Sequence, residues 1–218
     1  MRASLILSML GCLAVAQAYD AATDFDLVNN PSGVWSYGYS TSFSSISLFT
    51  TQFALAPAVE GWRRSSPSEP WIAKNTTSSL VTYGTASIKA GQLTLHPSND
   101  GSRSLIRFTA PAAGQYSFSA AFEQRNTLAS SVDVHVVHNS AAIWSGLSST
   151  FNVPVSTSGT LTLAAGDTLT VAVGPNGSYV NDWTGVAFGV NAVPEPATMA
   201  ALGAGMFGLI ARRRRSTR

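Results

Sequence analysis

The chain has 218 residues, 45% hydrophobic and only 11% charged, with one cysteine, Cys12; that length can bury a self-sufficient core, while a lone cysteine excludes a disulfide framework and thiolate metal sites. The formal net charge of +2 misleads, because Arg2 sits at the N-terminus and five arginines follow residue 211, leaving seven basic against 11 acidic residues between them. That mildly acidic middle has no basic stripe to collect phosphates, so nucleic-acid binding lacks its electrostatic motive.

In chain order, Arg2, an apolar run from Leu5 to Ala16 and the small-x-small triplet Ala16-Gln17-Ala18 read as a secretory signal peptide over residues 1–18, cleaved after Ala18. The run is short for a bilayer span. Met9-Leu10-Gly11 before Cys12 leaves lipid attachment as a minor alternative. Cleavage after Ala18 removes the only thiol, so the mature domain, 19–192, must rely on its hydrophobic core.

From Tyr19 to Ala192 short alternating runs are separated by turn residues, the pattern of an all-β domain. Trp35, Tyr37 and Tyr39 alternate with small residues and share one strand face. Burial of such large rings is the favoured reading; exposed, they would form a flat platform for sugar rings. Further strands are expected at 46–55, 80–83, 92–96, 103–109, 132–137 and 185–190, and Tyr116, Phe118 and Phe122 share one face of another. Leu161 and Leu163, the turn Ala165-Gly166-Asp167, then Leu169, Val171 and Val173 read as a β-hairpin. A second turn falls at Pro175-Asn176-Gly177. Around ten strands in one domain close most naturally as a two-sheet sandwich.

Trp62 and Trp71 flank the polar, proline-rich stretch Arg63 to Pro70, and Trp183 follows Asn181-Asp182. Loops carry function, so Trp62 and Trp183 are the first candidates for stacking on a glycan and Trp35, Tyr37 and Tyr39 the second; the competing reading is that these rings cap the core. Asp133, His135 and His138 invite a metal, but on a strand His138 faces away from the other two. No cofactor is expected. If a metal binds, calcium suits the loop oxygens of Asp24, Asp26, Asn29, Asn99 and Asp100 better than zinc, without EF-hand spacing to support it.

The chain lacks a Gly-x-Ser-x-Gly elbow, a His-Glu-x-x-His helix and a phosphate loop. Glu60, Glu69, Glu123, Asp133 and Asp182 could in principle supply the two carboxylates of a glycoside hydrolase, and sequence cannot pair them. A non-enzymatic domain is expected, with a polysaccharide-acting hydrolase as the alternative. The sequons at Asn75 and Asn176 fit surface loops.

At the C-terminus Val193-Pro194-Glu195-Pro196 precedes an uncharged apolar run, 197–211, and the basic tail 212–218 with Arg212, Arg213, Arg214 and Arg215. As a helix the run would be about 22 Å long, short of a hydrocarbon core of roughly 30 Å, yet able to span with snorkelling arginines held on the cytoplasmic side. The prolines keep the motif extended, as a protease substrate must be. These three parts in order resemble the PEP-CTERM sorting signal of Gram-negative bacteria. The resemblance implies export, a single short transmembrane helix as an inner-membrane intermediate, cleavage near the motif by an exosortase-type protease, and delivery to the envelope or extracellular matrix. A permanent anchor is the alternative.

The segments from Arg103 to Phe122, Val132 to Asn139 and Gly166 to Tyr179 also resemble jelly-roll domains of the carbohydrate-binding-module type. That implies a jelly-roll β-sandwich and suggests glycan as ligand. The expectation is an exported protein that binds glycans or packs into exopolysaccharide; a purely structural matrix protein is a further alternative.

Overall fold

The computed structural model describes residues 17–65, 70–128 and 130–194. Ala16, the N-terminal apolar run, Glu195 and Pro196, and the expected helix and arginine tail lie outside them. Among the described residues no helix is long and apolar enough to cross a membrane.

The chain forms β1 (Ala18–Asp20), β2 (Trp35–Ser40), β3 (Ser47–Leu48), β4 (Thr51–Ala56), β5 (Val59–Arg63) and β6 (Trp71–Asn75). There follow β7 (Val81–Tyr83), β8 (Ala86–Ile88), β9 (Leu93–His96), β10 (Arg103–Thr109) and β11 (Gly114–Gln124). Then come β12 (Val132–His138), β13 (Ala141–Ser148), β14 (Pro154–Leu163), β15 (Thr168–Pro175) and β16 (Thr184–Val193). One sheet runs β14-β11-β16-β9-β6-β5-β4, with β1 also on β16; the other runs β13-β12-β15-β10-β2-β3.

The two sheets share one buried apolar cluster, which makes the architecture a β-sandwich. Period-two alternation sets which side chains enter it: Ile106 and Phe108 of β10 and Val171 and Val173 of β15 face Phe118 and Phe122 of β11 and Val186 and Phe188 of β16. Trp35 bridges the layers, its ring meeting Phe188 at 5.5 Å and Phe108 at 5.6 Å edge-on. A smaller cluster of Val59, Trp71, Ala73 and Ile88 lies on the outer face of the first sheet, under the β7–β8 hairpin. Arg125 clamps that hairpin: its guanidinium donates to the Ser87 carbonyl (2.9 Å) and hydroxyl (2.8 Å) and to Asn152 Oδ1 (2.8 Å), with Glu123 at 3.5 Å.

Several expectations change. Residues 161–173 are not a hairpin: β14 pairs with β11 in one sheet, and β15 pairs with β10 and β12 in the other. The turn between them, with Gly166 at φ 89°, carries the chain across the core, and alternation is equally satisfied by either arrangement. The run 46–55 likewise breaks at buried Phe49, with β3 in one sheet and β4 in the other. Strand β16 extends to Val193, one residue past the expected domain boundary, and pairs there with Gln115. Asn75 is fully buried, its amide donating to the Ser79 and Ile88 carbonyls, so the first sequon is closed to modification.

Antiparallel pairing sorts the connections to two ends. At one end β1 enters beside the exit of β16, with Ala18 opposite Asn191 and the Ala192 amide donating to the Gln17 carbonyl at 2.9 Å. At the other end lie the connections from β5 to β6, β9 to β10, β11 to β12 and β15 to β16.

Candidate binding surface at the loop end

The aromatic candidates separate by depth. Trp35 and Tyr37 are 1% and 0% exposed, and Tyr39 is half-buried, stacked on Phe49 at 5.6 Å under the Arg64 guanidinium. Trp62 lies within β5 rather than a loop. It is 6% exposed and part of the main core, its indole N–H donating to the Asp26 carbonyl at 2.8 Å. A sugar ring needs an open aromatic face, so Trp35, Tyr37 and Trp62 are corrected from candidate binders to core. Trp144 is half-buried and stacks on Phe122 at 5.9 Å.

Trp183 is different. It sits in the connection before β16, half-buried, at the edge of a pile of rings drawn from distant parts of the chain. Its indole meets Trp71 edge-on at 4.9 Å, and Trp71 stacks on His96 at 5.4 Å. Tyr83, from the covering hairpin, stacks on Trp183 at 5.7 Å and remains half exposed. Tyr179 closes on His96 at 6.2 Å. No local pattern singles out Tyr83 or Tyr179, because neither sits in a distinctive motif and their neighbours are supplied by other strands.

Beside this pile the surface is lined by hydroxyls and amides. A depression of about 480 Å³ opens between Ser98, Asn99 and Gly101 on one side and Pro175 to Tyr179 on the other. A second, about 440 Å³, lies across the same loop among Ser130, Ser131, Ser149, Asn176, Ser178 and the exposed Val180. Arg64 fixes the β9–β10 turn, pairing with Asp100 at 2.6 Å and donating to the Ser98 hydroxyl at 3.2 Å. Burial works against the charge of Asp100, but its bonds from Arg64 and Ser102 prevail and hold its pKa well below the usual carboxylate range. Few polar groups beside aromatic rings are what small neutral ligands require.

Asp182 lies under the same loop, fully buried, with neither carboxylate oxygen hydrogen-bonded. Ser130 stands beside it, but its hydroxyl donates to the Asn181 carbonyl at 3.0 Å. Burial, helped by the Asp133 charge and opposed by Ser130, pushes the Asp182 pKa up to about 7.

The histidines do not converge. His135 Nε2 is 2.7 Å from Asp133 Oδ2, which also accepts from Arg103 at 2.9 Å. Burial would raise the Asp133 pKa, and these two partners lower it further than burial raises it. His135 Nδ1 meets Ser145 Oγ at 2.8 Å. His138 turns to Asp167, 3.7 Å away, and His96 is buried against Trp71 with Nδ1 on the Pro97 carbonyl. Among the described residues no three His, Cys, Asp or Glu side chains gather at one point. The loop carboxylates considered for calcium are engaged by protein donors: Asp24 by the Trp35 indole, Asp26 by the Val28 amide, Asn29 and Ser32, and Asp100 by Arg64. Of the carboxylates considered for hydrolysis, Glu123 is buried in a 2.6 Å pair with Lys89, Glu60 is exposed on β5, and Glu69 lies outside the described residues.

The comparisons with known proteins bear on the tail. Residues 192–215 match the PEP-CTERM protein-sorting motif, so the chain carries that motif, the mark of an exported protein sorted via the membrane and a substrate of exosortase. No curated protein matches the chain. Among solved structures it is similar to CBM51 from Clostridium perfringens GH95 in complex with methyl-galactose, at 12% identity over 66% of this chain and 94% of that one, TM-score 0.40. It is similar to a family 35 carbohydrate-binding module from Clostridium thermocellum, at 12% identity over 51% and 85%, TM-score 0.31. Pika GITRL gives 17% identity over 42% and 79%, TM-score 0.30. Ligand class therefore has to come from the chemistry of this chain's own surface.

Proposed function

We propose that this exported protein is a jelly-roll sandwich that binds polysaccharide of the envelope or extracellular matrix through its loop end, without turning it over. The observation that carries the reading is the half-exposed Tyr83 stacked on the partly buried Trp183, beside depressions lined mainly by Ser and Asn side chains with Tyr179. Sugar rings offer C–H faces to aromatic surfaces and hydroxyls to neutral polar groups, so little charge is needed, and this surface has little. Exosortase would cut near Pro194-Glu195-Pro196 and release the domain to its polysaccharide. The test is affinity electrophoresis of the purified domain in gels containing exopolysaccharides, comparing wild type with Trp183→Ala and Tyr83→Ala. Retardation lost in both variants, with melting temperature nearly unchanged, supports the reading; retardation unaffected by either removes it.

A second reading has one observation behind it. Ser145, His135 and Asp133 form a hydrogen-bonded chain with 2.8 and 2.7 Å links, the constellation of a serine hydrolase, which would remove ester groups from a polysaccharide. The chain lies on the outer face of a sheet, with Phe43 packed on His135 at 4.9 Å and strand amides committed to the ladder, so an oxyanion would lack its donors. Labelling of Ser145 by a fluorophosphonate, abolished in His135→Ala, would favour this reading over pure binding.

A further inference from the structure

We propose that the end of the sandwich from which both chain termini emerge is a membrane-apposed surface, seated on the lipid bilayer while the protein is inserted. This rests on the export and sorting reading above and adds which face of the domain meets lipid. Two separate pairings place both membrane-directed segments at that end. Ala18 lies opposite Asn191, just after the N-terminal apolar run, and Val193 lies opposite Gln115, just before the sorting motif. The ends are held firmly: Tyr19 is 8% exposed and packed into the core, and Ala192 and Val193 pair with Tyr116 and Gln115 of β11.

The lengths decide the orientation. From Val193 to Ala197, the first residue of the apolar run, four Cα steps reach at most ~14 Å. From Val193 back to Thr184, at the loop end of β16, nine strand steps cover about 30 Å. A tether about half the length of that strand cannot turn the domain over, so the loop end with Tyr83, Tyr179 and Trp183 points away from the bilayer.

The chemistry of the exit end suits this contact. Its turns expose Pro111, Ala112, Ala113, Ala164, Ala165 and Gly166. Residues 110–113, 139–140 and 164–167 include no lysine or arginine and one acid, Asp167. That carboxylate accepts from the Ala164 amide at 2.8 Å and the Asn139 side chain at 3.1 Å, with His138 3.7 Å away; these bonds lower its pKa and keep it ionised, but its oxygens are directed at protein donors. The turns are also tied together, Ala110 N–H to the Asp167 carbonyl at 2.8 Å and Gly166 N–H to the Ala110 carbonyl at 2.9 Å. The exposed residues of these turns, Pro111 to Ala113 and Ala164 to Gly166, are small and uncharged, and such a surface loses little hydration against headgroups. Without basic residues it is held to the membrane by the tether and not by attraction to anionic lipid.

The test uses the full chain with Cys12→Ser and one added cysteine at a time: Ala112→Cys or Ala165→Cys at the exit end, Ser158→Cys on the outer sheet face, Ser178→Cys at the loop end. All four positions are exposed. Each variant, checked for native circular dichroism, carries a fluorophore and is reconstituted into phosphatidylethanolamine–phosphatidylglycerol vesicles containing headgroup spin-labelled lipid. The expected result is quenching several-fold stronger at positions 112 and 165 than at 158 and 178. Equal quenching at all four, or stronger quenching at 158 or 178, overturns the proposal while leaving sorting intact, provided the chain resists alkaline extraction. A chain that alkali strips from the vesicles overturns the expected membrane insertion of residues 197–211, and the proposal with it.

Discussion

Replacing Asp182 by asparagine should make the domain's stability less sensitive to pH in a calculable way. The carboxyl group is fully buried without a hydrogen-bond partner, and its pKa in the folded protein is about 7, against roughly 4 in an unfolded chain. Below pH ~4 both states hold the proton and the site carries no ionisation penalty. Between these values the unfolded chain ionises while the folded one does not, and each pH unit costs the fold about 1.4 kcal/mol. Above pH ~7 the penalty levels off at about 4 kcal/mol, an order-of-magnitude ceiling on the same basis. The stabilising contribution of the protonated group is therefore present below pH ~4 and lost as pH rises through 7.

Asparagine cannot ionise, so any cost of its unpaired amide is constant with pH. The stability of Asp182→Asn relative to wild type should therefore rise by roughly 3 kcal/mol between pH 5 and pH 8. Urea unfolding at each pH, with linear extrapolation, measures this directly. A difference that stays flat across the range would mean that the Asp182 carboxyl is not held protonated by the fold. So would a wild type stabilised at pH 8 by added calcium while the asparagine variant is not, because the carboxylate would then be an ionised ligand.

Four further outcomes are expected. Trp35→Ala should cost about 3–5 kcal/mol in urea unfolding, as truncation of a buried aromatic does, while Trp183→Ala should cost much less. Arg125→Ala should cost about 1–3 kcal/mol because the Ser87 carbonyl and hydroxyl and Asn152 lose a buried donor while Glu123 keeps Lys89, and hydrogen exchange should quicken first in β7 and β8. Asp133→Asn should leave wild-type-like stability at acid pH and lose stability above it, since the Asp133 pKa is depressed in the folded protein and its contribution is present only above the unfolded value; thermal melts from pH 3 to 7 check this. Alanines at Pro194, Glu195 and Pro196 should leave Arg212 to Arg215 on the exported product, read by mass spectrometry, whereas wild type should lose them.

The strands most legible in the sequence are those whose core face alone carries large apolar side chains. In β11 Tyr116, Phe118 and Phe122, and in β15 Leu169, Val171 and Val173, alternate with small or hydroxyl residues, although in β15 those too are buried. Strands β5 and β6 were illegible for the opposite reason: Val59, Trp71 and Ala73 are buried in the outer cluster while Trp62 and Ile72 are buried in the inner one. With both faces covered, alternation disappears. The edge strand β13 hid because most of its residues are exposed. Alternation also says nothing about partners, so the segments around Gly166 looked like one hairpin when they belong to opposite sheets.

The sorting tail was readable from sequence alone, since a protease and a membrane respond to a linear order of prolines, apolar residues and arginines. The lack of a thiol in a domain cut after Ala18 was equally a matter of counting. Which aromatic rings face outward was not, because burial depends on what the rest of the chain lays over a side chain. Trp62 and Trp183 have similar local settings, yet Trp62 points between the sheets and Trp183 lies at the rim, where Tyr83, 100 positions earlier in the chain, comes to stack on it. Only the closure of the two sheets, joining strands far apart in sequence, brings those rings together and sets them at the end opposite the sorting signal.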